Sequence, residues 1–238
     1  MVINMIISSV NNKLIKDTAK LNQKKYRDKE SLFLAEGYNL FEEAKKANIV
    51  KHVFTVNNKI NGENIIYVTN EIMAKLTNSV SPQEIITVCH KRLNEDVKDK
   101  VLLLDNIQDP GNLGTLLRSA LAFGFETVVL DNTVDIFSPK VIRSTQGAIF
   151  QLNIIFSDIL DFIYNFKDIK YYGTSFNGTL LTNIEKVNKI GVVLGNEGNG
   201  VKKEILESLD ENITIKINKI ESLNVAVAGS VIMHYFSN

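Results

Sequence analysis

At 238 residues, with 45% hydrophobic and 23% charged side chains, the chain has the makeup of a globular protein of one large domain or two modest ones. Lysine plus arginine equals aspartate plus glutamate at 27 each, so net charge alone points neither toward nucleic acid nor away from it. A spanning helix is excluded because no run nears the roughly 20 apolar residues it needs, and one cysteine, Cys89, excludes an internal disulfide and a cysteine-rich zinc site. Three scattered histidines, His52, His90 and His234, argue against a histidine metal cluster. The start, MVINMIISSVNN, lacks a basic n-region and a small-residue cleavage site, so no signal peptide is expected and the cytoplasm is the default location.

Charge is unevenly placed. Residues 11–30, NNKLIKDTAKLNQKKYRDKE, hold seven bases against Asp17, Asp28 and Glu30. Helical steps of three or four put Lys13, Lys16, Lys20, Lys24 and Arg27 on one face. Such a stripe is more often a solvated surface than a phosphate site, and the rest of the chain has to decide. SLFLAEG (31–37), a helix to Ala47, VKHVFTV (50–56), IIYVTN (65–70), a short helix to Leu76 and EIITVCH (84–90) follow, with 57–64 as the most exposed loop. Cys89 ends an apolar run and reads as a buried structural thiol. These elements make a small α/β domain over residues 1–92, and the charged KRLNEDVKDK (91–100) supplies a linker at 93–99.

Residues 100–238 are more regular. Apolar strands at 101–105, 127–131, 151–155, 170–175, 189–195 and 213–217 alternate with helices, the last of them from Asn224 to Phe236. Buried strands alternating with helices imply a parallel sheet covered on both faces. Ligands of such sheets bind beyond the carboxyl ends of the strands, which directs attention to the loops after Asp105, Thr174, Gly195 and Ile217.

Three stretches stand out there. NIQDPGNLGTLLRSALAFG (106–124) turns at Pro110-Gly111 into a helix, with Asn112 at the turn and Arg118 inside; a cap and a surface cation are the plain readings of these two. LGNEGNGV (194–201) has glycines in the order GxxGxG, the reverse of the dinucleotide fingerprint, and no phosphate-loop motif occurs anywhere. A loop of this kind lets backbone approach a ligand closely, or is a tight turn with Glu197 facing water. In KIESLNVAVAGSVIMHYF (219–236), Ser222 and Asn224 precede a helix thinned by Ala226, Ala228, Gly229 and Ser230, over which backbone can pack closely.

In this order the three stretches resemble the motifs of the SpoU/TrmH family of RNA 2′-O-methyltransferases. SPKVIRSTQGAIF (138–150) also looks like a family stretch, and the amino-terminal half is similar to the small ribosomal-protein-like RNA-binding domain that many members carry. The resemblance implies a carboxy-terminal trefoil-knot (SPOUT) domain binding S-adenosylmethionine, and a homodimer acting on RNA. It carries catalytic roles onto Asn112, Arg118, Glu197, Ser222 and Asn224. Cofactor contacts fall on Gly195, Asn196, Ile215 and Leu223, with Thr174 and Ser175 at the methionine end. RNA contacts fall on Lys140 and Arg143, joining the basic stripe; no metal is implied. Lys216 stands where members commonly have proline.

On this reading Arg118, always protonated, holds the target phosphate and stabilises the developing alkoxide, while Glu197 positions Arg118. The arginine can come from the partner chain. Ribosomal RNA is preferred to transfer RNA because of the extra amino-terminal domain. An inactive RNA-binding homologue and a nucleotide-dependent doubly wound enzyme are the rival functions; the five motif residues argue against the first and the missing glycine fingerprint against the second.

Overall fold

A computed structural model describes residues 5–77, 79 and 81–237. Residues 1–4, part of the stretch read for a leader, and Asn78, Val80 and Asn238 lie outside the described residues. The chain divides into two compact units, one of residues up to Arg92 together with Asp135–Phe150, the other of Leu93–Val134 and Gln151–Asn238.

In the first unit, strands β1 (Met5–Ile7), β2 (Leu32–Glu36), β3 (Val50–Thr55), β4 (Ile65–Val68) and β5 (Ile85–His90) form a mixed sheet in the order β1-β4-β3-β5-β2. β2 and β5 pair antiparallel, whereas β1 and β3 flank β4 in parallel. Helices α3 (Tyr38–Lys46) and α4 (Asn70–Leu76) connect them, and Cys89 is fully buried in β5. The apolar runs foretold four of these strands; the three-residue β1 is too short to show a period.

The basic stretch is two helices and not one. Asn12 caps α1 (Lys13–Lys20) by accepting from the Leu14 N–H, the chain breaks where Leu21 enters the core, and α2 (Lys24–Glu30) restarts after Gln23. The break resets the helical phase and turns Arg27 inward, so the expectation that Arg27 is an RNA contact is corrected. Only 3% exposed, it donates to Asp135 Oδ2 at 2.6 Å and to the Leu21 carbonyl at 2.8 Å. Lys13, Lys16, Lys20 and Lys24 remain exposed, the last two paired with Asp17 and Asp28.

Asp135 introduces the segment that the sequence pattern assigned to the second half. Pro139 and the Ser138 cap start α6 (Pro139–Thr145), which packs on β2, and Phe137 and Phe150 flank Phe33 with ring centres 5.1 and 5.9 Å away. Apolar periodicity marks a helix but not the sheet it covers, so this placement was not readable from the chain.

The second unit holds β6 (Lys100–Asp105), β7 (Thr127–Asp131), β8 (Asn153–Phe156), β9 (Lys170–Leu180), β10 (Ile190–Leu194) and β11 (Glu211–Thr214). All six are parallel, in the order β11-β9-β10-β6-β7-β8. Helices α5 (Pro110–Ala122), α7 (Ile159–Asn165), α8 (Lys203–Ser208) and α9 (Val225–Ser237) complete it. Central positions such as Leu102, Val128 and Val192 are fully buried, as strands covered on both faces require. The chain leaves β6 toward β7 on one side and places β10 on the other, so a crevice opens at the carboxyl ends where the order reverses. The stretch read as a linker is tied to this unit: Asn94 bridges to Asn153, and the Lys98 N–H donates to Thr127. β11 ends at Thr214, leaving Ile215–Ile217 as loop where a strand was expected.

Removing one partner of a buried ion pair strands the other. Arg27→Ala is therefore expected to lower the stability of the first unit by about 3 kcal/mol, measured as the shift in its urea unfolding midpoint, while Lys13→Ala leaves it within about 0.5 kcal/mol.

Candidate active site

Three loops meet beyond the sheet through one asparagine. Asp109 caps α5 by accepting the Asn112 N–H at 2.8 Å, and Pro110 occupies the first turn, where its missing N–H costs nothing. That fixes Asn112 at the helix start. Its side-chain amide donates to Glu197 Oε1 at 3.0 Å, and its carbonyl oxygen accepts from Asn224 Nδ2 at 2.9 Å. Asn224 is in turn the cap of α9, with its Oδ1 accepting the N–H groups of Ala226 and Val227. The three motifs are thus joined end to end by polar contacts 85 and 112 residues apart in sequence.

The glycine loop 195–201 is anchored at both ends. Asn196 donates to the Asn106 carbonyl at 3.0 Å while its Oδ1 accepts from Gly198 and Asn199, so its side chain shapes the loop. Asn196 also bridges to Gly200, and a Cβ on Gly195 would collide with the Gly200 carbonyl group and the Val201 nitrogen, which makes glycine obligatory at 195. At the far end Lys202 donates its N–H to the buried Asp105 and sets its ammonium 3.0 Å from the same carboxylate. Asn106, Asp109 and the Asp105–Lys202 pair are the functional neighbours that sequence reasoning missed; the cap position of Asp109 before Pro110 was the one usable signal.

Glu197 also accepts the Asp109 N–H at 3.2 Å. Partial desolvation works against its charge, but hydrogen bonds from Asn112 and from backbone N–H groups outweigh it and hold the carboxyl below its ordinary 4.5. Within one chain Glu197 does not meet Arg118; the Asn112 amide and the Asp109 N–H take up its carboxylate. Arg118 lies exposed on α5, and its side chain makes no hydrogen bond or ion pair among the described residues. It does not line the cleft of its own chain.

That cleft, of about 590 Å³, is bounded by the glycine loop, by Thr174 and Ser175 of β9, and by the loop from Ile215 to Leu223. Gly195, Asn196, Ile215, Leu223, Thr174 and Ser175 all line it, as do Glu197 and Ser222. Buried Ile213 and Ile232 form apolar wall, and Lys216 is an exposed member of the rim. The thin last helix packs on α5 and β10: Ala226 and Gly229 are buried, and Ser230 meets Ser119 with hydroxyls 2.7 Å apart. In the first unit Lys140 is exposed, and Arg143, half exposed, sits 3.3 Å from the buried carboxylate of Glu36, which also accepts from Thr77. Among the described residues no helix is long and apolar enough to cross a membrane.

A parallel sheet with a glycine-lined cleft beyond its carboxyl edge, braced by amides and one carboxylate, defines an α/β cofactor-binding protein. Residues 99–234 match the SpoU rRNA Methylase family, and residues 12–87 match the MRM3-like substrate binding domain. The 23S rRNA (guanosine(2553)-2'-O)-methyltransferase RlmP of Bacillus subtilis is 36% identical over 96% of this chain and 98% of its own length. An rRNA methyltransferase structure from Sinorhizobium meliloti has a TM-score of 0.87 at 26% identity, covering 97% of this chain and 96% of that one. An AdoMet-bound structure from the same organism gives 0.86 at 26% identity, with 97% and 96% covered. The chain belongs to the SpoU rRNA methylase family and is an RNA 2′-O-methyltransferase using S-adenosylmethionine.

The cleft suits that cofactor. Its volume falls in the range of about 300–1,000 Å³ usual for such ligands, and it combines apolar wall with the hydroxyls of Thr174 and Ser175.

Because the folded pKa of Glu197 lies below its unfolded value, the contribution of its carboxylate is fully present above that value and is lost as pH falls through the folded one. Wild type is expected to bind S-adenosylmethionine more tightly than Glu197→Gln at neutral pH. Calorimetry should show that advantage shrinking only as pH falls below the ordinary glutamate range, where the carboxyl protonates.

Proposed function

We propose that this chain methylates the ribose 2′-hydroxyl of a guanosine in large-subunit ribosomal RNA, with Arg118 as the catalytic residue acting across a homodimer. The observation that carries the reading is the Asn224–Asn112–Glu197 chain of hydrogen bonds, which holds three cofactor-site loops in one arrangement. The choice of RNA is supported by the 36% identity to RlmP over nearly the full length of both chains.

The cofactor supplies a methyl group on a cationic sulfur. Backbone groups of Gly195, Ile215 and Leu223 would hold its adenosine part, with Thr174 and Ser175 at the methionine end. What remains for the protein is alignment, which contributes on the order of 7–11 kcal/mol in favourable cases, and stabilisation of oxygen charge as the proton leaves. Arg118 cannot act as a base, since its guanidinium stays protonated. It instead binds the phosphate beside the target ribose and stabilises the developing alkoxide, with Ser222 donating nearby. Its exposure, and its absence from the cleft wall of its own chain, fit delivery into the partner's site.

The dimer surface is argued from α9. Val227 and Val231, four residues apart, leave 49% and 42% of their surface exposed on a helix packed against the one that carries Arg118. In the first unit Lys13, Lys16, Lys20, Lys24 and Lys140 supply exposed charge for the RNA backbone.

Mapping ribose methylation in ribosomal RNA from cells with and without the gene is expected to show one guanosine losing its mark; an unchanged map would overturn the assignment. Arg118→Ala is expected to lower kcat by about 10²–10³ with cofactor affinity unchanged. Val227→Glu with Val231→Glu is expected to give an inactive monomer by light scattering, and activity recovered on mixing Arg118→Ala with Ser222→Ala protein would show that the arginine crosses between chains.

A further inference from the structure

β9 does not run straight through the sheet. Tyr172 and Gly173 pair with Glu211 and Asn212, but the next rungs on β11, Ile213 and Thr214, pair with Thr179 and Leu180. Residues 174–178 therefore leave the ladder against β11, and the pairing with β10 also stops at Gly173. Extra residues of this kind bend a strand and re-aim its side chains, and they occur beside active sites. Here the return is made at Gly178, where a Cβ would lie 2.5–2.6 Å from the backbone of Asn212 and Ile213. Only glycine lets β9 rejoin so close to its neighbour. The excursion is held by the Thr174 hydroxyl on the Val193 carbonyl and by the Asn177 N–H on Ser175.

At its apex is Phe176. It is 78% exposed, yet it lines the cleft beside Thr174 and Ser175, and among the described residues it is the one aromatic that does so. Core packing does not account for it, since most of the residue's surface is exposed. A phenyl face at the mouth of a nucleic-acid-modifying cleft offers what an unstacked base lacks. RNA is recognised chiefly at single-stranded loops and bulges, whose bases are unstacked, and a sequence-tolerant aromatic platform would hold such a base while its 2′-hydroxyl enters the cleft.

We infer that Phe176 is a substrate-positioning residue, stacking on the base of the nucleotide whose ribose is methylated. The inference rests on the proposed function and adds to it the contact that orients the target nucleoside. The cofactor's adenine is a less suitable occupant, because Phe176 neighbours the Thr174 and Ser175 side of the cleft, whereas the adenosine part is assigned to Gly195, Ile215 and Leu223.

The test compares wild type, Phe176→Ala and Phe176→Tyr on a synthetic RNA fragment containing the mapped site, with and without the target base. On intact RNA, Phe176→Ala is expected to raise KM for RNA roughly five- to one-hundred-fold, in keeping with single-base stacking, while S-adenosylmethionine affinity stays within about twofold. Phe176→Tyr should restore wild-type KM. With the target base removed, wild type and Phe176→Ala should become equivalent. Unchanged KM in Phe176→Ala, a parallel loss of cofactor affinity, or a persisting advantage of wild type on the abasic fragment would each overturn the assignment. Failure of the underlying function is separately visible, because wild type itself would then leave the intact fragment unmethylated.

Discussion

The contact on which the rest depends is the pair of hydrogen bonds made by the Asn112 side chain. One amide satisfies a carboxylate through its NH2 and a second amide through its carbonyl, so the loops after β6, after β10 and before α9 cannot move independently. An amide is suited to this junction because it both donates and accepts, which neither a carboxylate nor an ammonium can do alone. The cap on α5 fixes the position of Asn112, and the cap on α9 fixes that of Asn224. Two helix starts thereby set the geometry of one cleft.

Charge is arranged around this junction with little excess. Glu197 is neutralised by N–H dipoles rather than by a cation, which leaves Arg118 free of an internal partner. The lysine in the vicinity of the loop, Lys202, is held by Asp105, with Asp131 at 3.9 Å. Burial raises the pKa of Asp131, and the nearer Asp105 keeps the ammonium on the loop's anchoring side. The Arg118 side chain thus stays unpaired on the surface of α5, outside the cleft of its own chain.

Much of this was legible in the chain. The strands of the parallel sheet declared themselves as apolar runs, since burial on both faces leaves no room for alternation at positions such as Leu102 or Val192. Gly195 correctly marked a close backbone approach, whereas at Gly229 in the last helix the close neighbours are the Leu194 and Leu116 side chains. What stayed hidden was long-range or geometric. Nothing local tells that Glu197 faces Asn112 and not Arg118, that a break at Leu21 turns Arg27 inward, or that β9 leaves its ladder at Thr174.

The excursion of residues 135–150 bears on how such a protein is made and varied. A ribosome that has just released residue 92 has not yet delivered Asp135, the partner of Arg27, nor the rings that flank Phe33. The amino-terminal unit is therefore completed only after two strands of the second have been synthesised, so maturation is interleaved rather than sequential. The same threading means that recombination at the 93–99 stretch would hand a new partner an unfinished core, and the two units are bound to diversify together.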